Sequence, residues 1–494
     1  MRAPSPPPAR LALLVPVTNL SNAIIGAGVL VLPFTMGSLG LGAGCALIGL
    51  SALMGIASCT VLFYCARSTG SPFVYGEIAA HLCGPRFGAF VESCQVSYSL
   101  GSCVGYLVIV ESELLSVVLW LRAHGFAPGS WANRELLMAV VVFGCVLPLS
   151  SVRSLHALRY SSLGAVLCVS YVLLLLAMRF CNGPLAEADT LEFAAEIAAP
   201  RAHTLLEKFK SVPLLVFAFN CQVPFLPIVA EMGHPSWRDI SGLLAFTFAG
   251  CAALYWAVAL LGFLSFGETV EANVIDSFAD SDTKAVLARI AMVLVLIFSF
   301  PLYLFAIRLS IGRLLLGTED LPPVPHCALT AAIVLGCAAV ASRFETLEVP
   351  LGLTGALAGS CIVFVIPGIL LGVIERRALI GSALTQPSLV VAACERARTS
   401  GSASPVPHRS PYSFARRSDA EEALVAREFA LIDANESSVG LELLDPPGGR
   451  GTCSSICRRR RASASARLAC AIAFGLLGCV IGVLGTVATL IPSS

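Results

Sequence analysis

Long apolar runs alternate with short polar stretches from residue 11 to residue 374, and one more apolar run follows near residue 467. A helix that crosses a bilayer needs about 20 mostly apolar residues. Eleven runs reach or approach that length, near 11–36, 41–66, 88–120, 136–151, 155–178, 209–232, 240–266, 284–312, 326–342, 346–374 and 467–491. The pattern predicts an all-α polytopic membrane protein with eleven transmembrane helices. The third run exceeds one perpendicular crossing and must tilt or protrude.

Two of the runs are interrupted. The first contains Asn19-Leu-Ser-Asn-Ala-Ile-Ile-Gly-Ala-Gly-Val-Leu-Val-Leu-Pro33. Gly26 and Gly28 weaken a helix there, Pro33 removes a hydrogen bond, and Asn19, Ser21 and Asn22 carry polar atoms that lipid penalises. The sixth run reads Val212-Pro-Leu-Leu-Val-Phe-Ala-Phe-Asn-Cys-Gln-Val-Pro-Phe-Leu-Pro227, with three prolines and a polar centre at Asn220, Cys221 and Gln222. Such breaks are tolerated where the freed backbone groups line a cavity or bind something. Breaks at matching positions in two halves point to a transporter site. Here they open helices 1–5 and helices 6–10. Five is an odd number, so the second set inserts upside down, which gives a 5+5 inverted repeat with helix 11 appended.

Composition fits this picture. The chain of 494 residues is 56% hydrophobic and 13% charged, where soluble domains carry roughly 25% charge. A net charge of +1 gives no case for nucleic acid. Most of the 19 cysteines fall in apolar runs, as small hydrophobes. Cys453 and Cys457 lack a second ligand pair for a metal, and Cys181 has no obvious loop partner for a disulfide. Residues 1–10 form a short Pro-rich tail, and the run after them is too long and too polar for a cleaved signal peptide.

Basic residues orient the helices. Arg67, Arg86, Arg153, Arg159, Arg238 and Arg313 share one side with Arg2 and Arg10. The opposite connections are acidic, with Glu187, Asp189, Glu192 and Glu196, then Glu268, Glu271, Asp276, Asp280 and Asp282. The N-terminus is therefore expected in the cytosol. Residues 11–374 form the ten-helix core, 375–466 a disordered cytosolic linker, and 467–494 the last helix with a short outer tail. Within the linker only Glu421–Ala434 has amphipathic character. Arg458 to Arg461 suits anionic headgroups, and Arg460-Arg461-Ala462-Ser463 also reads as a basophilic-kinase site. Sequons at Asn19 and Asn435 fall in the membrane and the cytosolic linker, so neither is expected to be glycosylated.

Broken helices suit a zwitterion, because helix N-termini offer N–H groups to a carboxylate and C-terminal carbonyls attract a cation. The N–H groups of Gly26, Ala27 and Gly28 are assigned to the carboxylate, the small residues there letting substrate approach the backbone. The carbonyls of Phe217, Ala218 and Phe219, beside Asn220, are assigned to the amino group. Phe217, Phe219 and Phe225 are candidate pocket walls. In helix 8, Pro301 frees a carbonyl one turn back and Ser299 adds a hydroxyl, an oxygen pair suited to an alkali cation if helix 8 abuts helix 1. Glu111 and Glu113 are open to two readings, proton relay or snorkelling to water, and Glu92 is similar. His156 and His234 lie in connections. No nucleophile–base set or metal cluster converges, so an enzyme is not expected.

The stretch Asn19-Leu-Ser-Asn-Ala-Ile-Ile-Gly-Ala-Gly-Val-Leu resembles the first helix of sodium-coupled neutral amino acid transporters, in the amino acid/auxin permease group. Phe217-Ala-Phe-Asn-Cys-Gln to Leu226-Pro-Ile resembles their sixth helix, and Ser299-Phe-Pro301 with Phe305-Ala-Ile-Arg308 their eighth. The resemblance implies a LeuT-like fold and cation-coupled symport of neutral amino acids. It places sodium at the carbonyls of Asn22 and Ile25 and the hydroxyl of Ser299, where many relatives have Thr. Relatives often have His where Gln222 stands, and Gln cannot titrate. No cofactor beyond the coupling ion is implied. Proton coupling, a plasma or endolysosomal or vacuolar membrane, and a sensor role through a cytosolic partner of residues 375–466 stay open, as does the oligomeric state.

Overall fold

The computed structural model describes residues 9–70, 73–125, 134–151, 159–182, 205–233, 235–279, 281–317, 322–344, 346–384 and 452–490. Helix coincides with each of the eleven apolar runs, because in lipid only a helix satisfies its own backbone. Among the described residues eight helices are long and apolar enough to cross a membrane alone, and a bent pair makes a ninth. The fourth and fifth runs fall short of that test, so the described residues do not reach the expected eleven on length and apolarity.

The first run is α1 (Ala9–Ile24), a 3-10 turn at Ala27–Val31, and α2 (Leu32–Leu39), with a bend of 51° between its halves. Next come α3 (Leu41–Thr69), a short α4 (Tyr75–Cys83) that the hydrophobic pattern does not announce, and α5 (Pro85–Ala123). At 39 residues α5 is about 58 Å long at 1.5 Å per residue, the overlong element that the sequence implies. The fourth run is α6 (Arg134–Val141) joined by a π turn to α7 (Leu147–Ser150), and the fifth is α8 (Arg159–Asn182). The sixth splits into α9 (Leu205–Ala218) and α10 (Gln222–Glu231). Then follow α11 (Trp237–Phe266), α12 (Thr283–Ile311), α13 (Pro323–Ala341) and α14 (Glu348–Thr354). Two π turns lead from α14 into α15 (Ile366–Leu384), and α16 (Thr452–Leu490) closes the chain.

The chain divides into two compact units, one of residues 1–370 with 472–494 and one of residues 371–471. In the first, α5 packs most extensively on α12, while α11 lies against α1, α2, α3 and α8. In the second, Arg467 Nε donates to a buried Glu375 carboxylate at 2.7 Å. Residues 375–384 and 452–466 are thus helical, where the sequence pattern places linker. Glu421–Ala434, Asn435, His156, His234 and the acidic stretch at 187–196 lie outside the described residues.

None of the three membrane carboxylates snorkels. Glu92 is buried, accepts from Ser310 Oγ and faces Arg313 Nη1 at 3.3 Å. Glu111 accepts from Arg134 Nε at 2.5 Å, and Arg134 also donates to the Phe344 carbonyl at 2.6 Å. Glu113 is 0% exposed; Asn273 Nδ2 donates to it at 2.6 Å and Arg289 Nε lies 3.5 Å away. Arg289 also donates to the Phe278 carbonyl at 3.2 Å. This network anchors the 270–279 connection, whose Val274 N–H donates to the Leu30 carbonyl of the 3-10 turn at 3.1 Å.

Removing one partner of a buried ion pair strands the other, at a cost of about 3–5 kcal/mol. Glu113→Gln is expected to lower the unfolding midpoint of the purified protein sharply, and Glu113→Gln with Arg289→Gln to cost less than the sum of the singles. Additive costs in thermal scans would show that the two do not form a pair.

Asp276, outside the spans, accepts from Ser112 Oγ at 3.4 Å, and burial pushes its carboxyl up from 3.8 to about 6. Arg289, Asn273 and Ser112 oppose that rise and Glu271 adds to it. An acid with a raised folded pKa holds its proton more tightly in the fold, so stability falls as pH climbs from about 4 through about 6. Exchange protection of the Val274 amide, corrected for intrinsic rate, should be greater at pH 5 than at pH 7. Asp276→Asn should flatten that difference.

Candidate functional site

The break in the first span begins where the ladder slips. Gly26 N–H bonds to the Ile24 carbonyl at 2.8 Å rather than to Asn22, and Ile25 N–H reaches Ser21 at 2.7 Å. Among the described residues, the carbonyls of Asn22 and Ile25 therefore receive no backbone donor, nor do the N–H groups of Ala27 and Gly28 find an acceptor. The first N–H groups of any helix lack intrahelical acceptors, and those of the Ala27–Val31 turn are buried as well. Pro33 does not make this break; it sits in the first turn of α2, where no N–H is needed.

Prolines do not make the second break either. Pro213 and Pro227 lie inside α9 and α10, and Pro224 falls in the first turn of α10. The interruption is at Phe219–Cys221. Asn220 N–H tightens onto the Phe217 carbonyl at 3.2 Å, and the Gln222 side chain accepts from Cys221 N–H at 3.0 Å. Both amide atoms of Asn220, which is 3% exposed, and Nε2 of Gln222 have no hydrogen-bond partner among the described residues. The side-chain oxygen of Asn22 is buried without one too.

The carbonyls assigned to an amino group are in different states. Phe217 accepts from Asn220, and Ala218 accepts from the Tyr255 hydroxyl at 3.0 Å. The Phe219 carbonyl has no donor among the described residues. The two spans touch at Gly28 and Ala218: a Cβ on Gly28 would lie 2.6 Å from Ala218 Cα. A Cβ on Gly26 would lie 2.8 Å from the Tyr106 hydroxyl. The small size of these glycines serves contact within the protein.

Aromatic side chains connect the two breaks. Phe217 lies 5.7 Å from Tyr98, Tyr98 6.4 Å from Tyr303, and Tyr303 5.4 Å edge-on to Tyr106, beside Gly26. Phe219 turns the other way, edge-on to Tyr255 at 4.9 Å and stacked on Phe248 at 6.3 Å. Phe225 is fully buried. The four tyrosines carry no signal in the sequence, since a lone Tyr in an apolar helix looks like any other core residue.

Ser299 is half-buried on α12. Because α12 packs chiefly on α5 and α8, and α1 on α8, α10 and α11, Ser299 and the Asn22 and Ile25 carbonyls ride on elements without extensive mutual packing. Among the described residues no group of three His, Cys, Asp or Glu side chains could hold a metal ion.

Comparison with known proteins follows the same lines. Residues 14–380 match the family described as transmembrane amino acid transporter protein. The chain is 26% identical over 372 residues to the sodium-coupled neutral amino acid symporter 2 of Danio rerio, covering 71% of this chain and 73% of that one. It is 25% identical over 307 residues to the sodium-coupled neutral amino acid transporter 7 of Bos taurus, covering 61% and 64%. Its fold is similar to that of MhsT in complex with L-phenylalanine, with a TM-score of 0.50 and 13% identity over 73% of this chain and 88% of that one.

Overpacking a tight contact costs about 1–3 kcal/mol. Gly28→Ala should therefore lower the unfolding midpoint in detergent. Gly250→Ala, in α11 with nothing within 4 Å of its Cβ position, should leave the midpoint unchanged or raise it slightly.

Proposed function

This chain belongs to the transmembrane amino acid transporter family and has a LeuT-like all-α fold, and on that footing we propose a sodium-coupled symporter of neutral L-amino acids. The family and the relatives are transporters, not enzymes. The observation that carries the proposal is the pair of adjacent breaks, which among the described residues present, on one side, buried N–H groups without acceptors and, on the other, a buried carbonyl without a donor. A zwitterion complements both at once. Its carboxylate sits at the N–H groups of Ala27 and Gly28, next to Gly26. Its ammonium sits at the second break, where Phe219 offers its carbonyl, Ala218 lies alongside, and the amide of Asn220 can also bond the substrate.

The open carbonyls of Asn22 and Ile25 offer oxygens to the coupling ion, and the hydroxyl of Ser299 joins them where α12 closes on α1, an all-oxygen set of the kind hard cations prefer. That two relatives are named as sodium-coupled supports the choice. One cation crossing 100 mV yields about 2.3 kcal/mol, enough to concentrate a neutral substrate roughly fiftyfold. The distribution of arginines supports a cytosolic N-terminus.

Uptake of labelled L-alanine, L-serine, L-glutamine and L-leucine into proteoliposomes tests this reading. An inward sodium gradient should drive uptake of at least one of them, and Ser299→Ala should raise the sodium concentration for half-maximal uptake about tenfold. Uptake that ignores sodium but follows a proton gradient would reassign the ion. Absence of uptake of any of the four would overturn the proposal.

A further inference from the structure

Two backbone carbonyls, one from each interrupted span, converge on a single side chain. Tyr255 is 0% exposed on α11, and its hydroxyl lies 2.7 Å from the Ile24 carbonyl oxygen and 3.0 Å from the Ala218 carbonyl oxygen. A phenol carries one proton, so it serves one of these acceptors well at any moment. The two carbonyls are not equally dependent on it. Ile24 also accepts from Gly26 N–H, whereas among the described residues Ala218 has no other donor. The Phe219 ring, edge-on to Tyr255, holds the phenol in place from the side of the second break.

We propose that Tyr255 is a positioning residue that reports amine occupancy at the second break to the first. This rests on the reading that a substrate ammonium sits there. With the site empty, the hydroxyl donates to Ala218, which would otherwise be an orphan in a buried place. An arriving ammonium brings three donors and satisfies both Phe219 and Ala218. The Tyr255 proton then turns to Ile24, the residue at which the first span unwinds. One bond is exchanged for another, and the change reaches the segment that carries Ala27, Gly28 and the cation carbonyls. No group in this relay needs to change its charge.

The exchange makes opposite demands on two variants. Tyr255→Phe removes the competitor for Ala218 and the signal to Ile24 together. The dissociation constant for the best neutral amino acid should fall two- to fivefold while kcat falls tenfold or more. Tyr255→4-aminophenylalanine, made by stop-codon suppression, supplies two protons, bonds both carbonyls at once and should raise the dissociation constant by a similar factor. The desamino analogue of the same substrate should show neither shift. Tyr75→Phe is the control, since Tyr75 is also buried and donates to the Ile362 carbonyl at 2.9 Å rather than to a carbonyl of either break. It should leave both constants near wild type.

Equal dissociation constants and kcat in wild type and Tyr255→Phe would overturn the coupling role while leaving transport intact. So would shifts of the same sign in the two Tyr255 variants, or a shift shared by the desamino analogue. If Tyr255→Phe yields no folded protein, the aminophenylalanine variant alone decides: an unchanged or lowered constant overturns the inference. A wild-type protein that binds no neutral amino acid overturns the underlying reading instead.

Discussion

A peptide group in the middle of a bilayer has no water to bond, so every interruption of a membrane helix must be answered by something nearby. This chain interrupts two spans where they touch, at Gly28 and Ala218. Part of the resulting demand is met locally, by the turn at Ile24–Gly26 and by the Gln222 side chain at Cys221. Part is met by α11 through Tyr255. Among the described residues, what the backbone leaves unmet at the breaks is concentrated on the N–H groups of Ala27 and Gly28 and the carbonyls of Asn22, Ile25 and Phe219. A ligand that paired with those groups would recover a cost the fold has already borne.

The rest of the first unit holds these breaks in position. The long α5 lies along α12, and between them and the 270–279 connection runs a network of paired charges. Buried charges are tolerable only when paired, and here each membrane carboxylate has a basic partner. The connection is in turn tied to the 3-10 turn through Val274 and Leu30. A short covalent and hydrogen-bonded route therefore links the first break to the 270–279 connection. The aromatic series from Phe217 to Tyr106 gives a second link, on the side facing α5.

The placement of helix was legible in the sequence, since each apolar run folds as helix. So was the existence of both breaks, because polar residues and glycines inside an apolar run are costly unless the helix opens around them. The cause of the breaks was less legible. Prolines drew attention to the sixth run, yet Pro213 and Pro227 are carried within helices and the gap opens at Phe219–Cys221. A missing N–H matters only where the ladder would have used it, and Pro33 and Pro224 stand in first turns, where it would not.

Composition and periodicity determined the class of molecule, its spans and the polar residues Asn22, Asn220 and Gln222 within them, because burial in lipid leaves a one-dimensional trace. Only the tertiary structure decided which polar groups are already paired. It gave Glu92, Glu111 and Glu113 their basic partners, gave Gly28 to Ala218, and brought Tyr255 from 231 residues away in sequence to the Ile24 carbonyl. A hydrogen bond depends on a few ångströms and an angle between two chain segments, and no local pattern of residues encodes that distance.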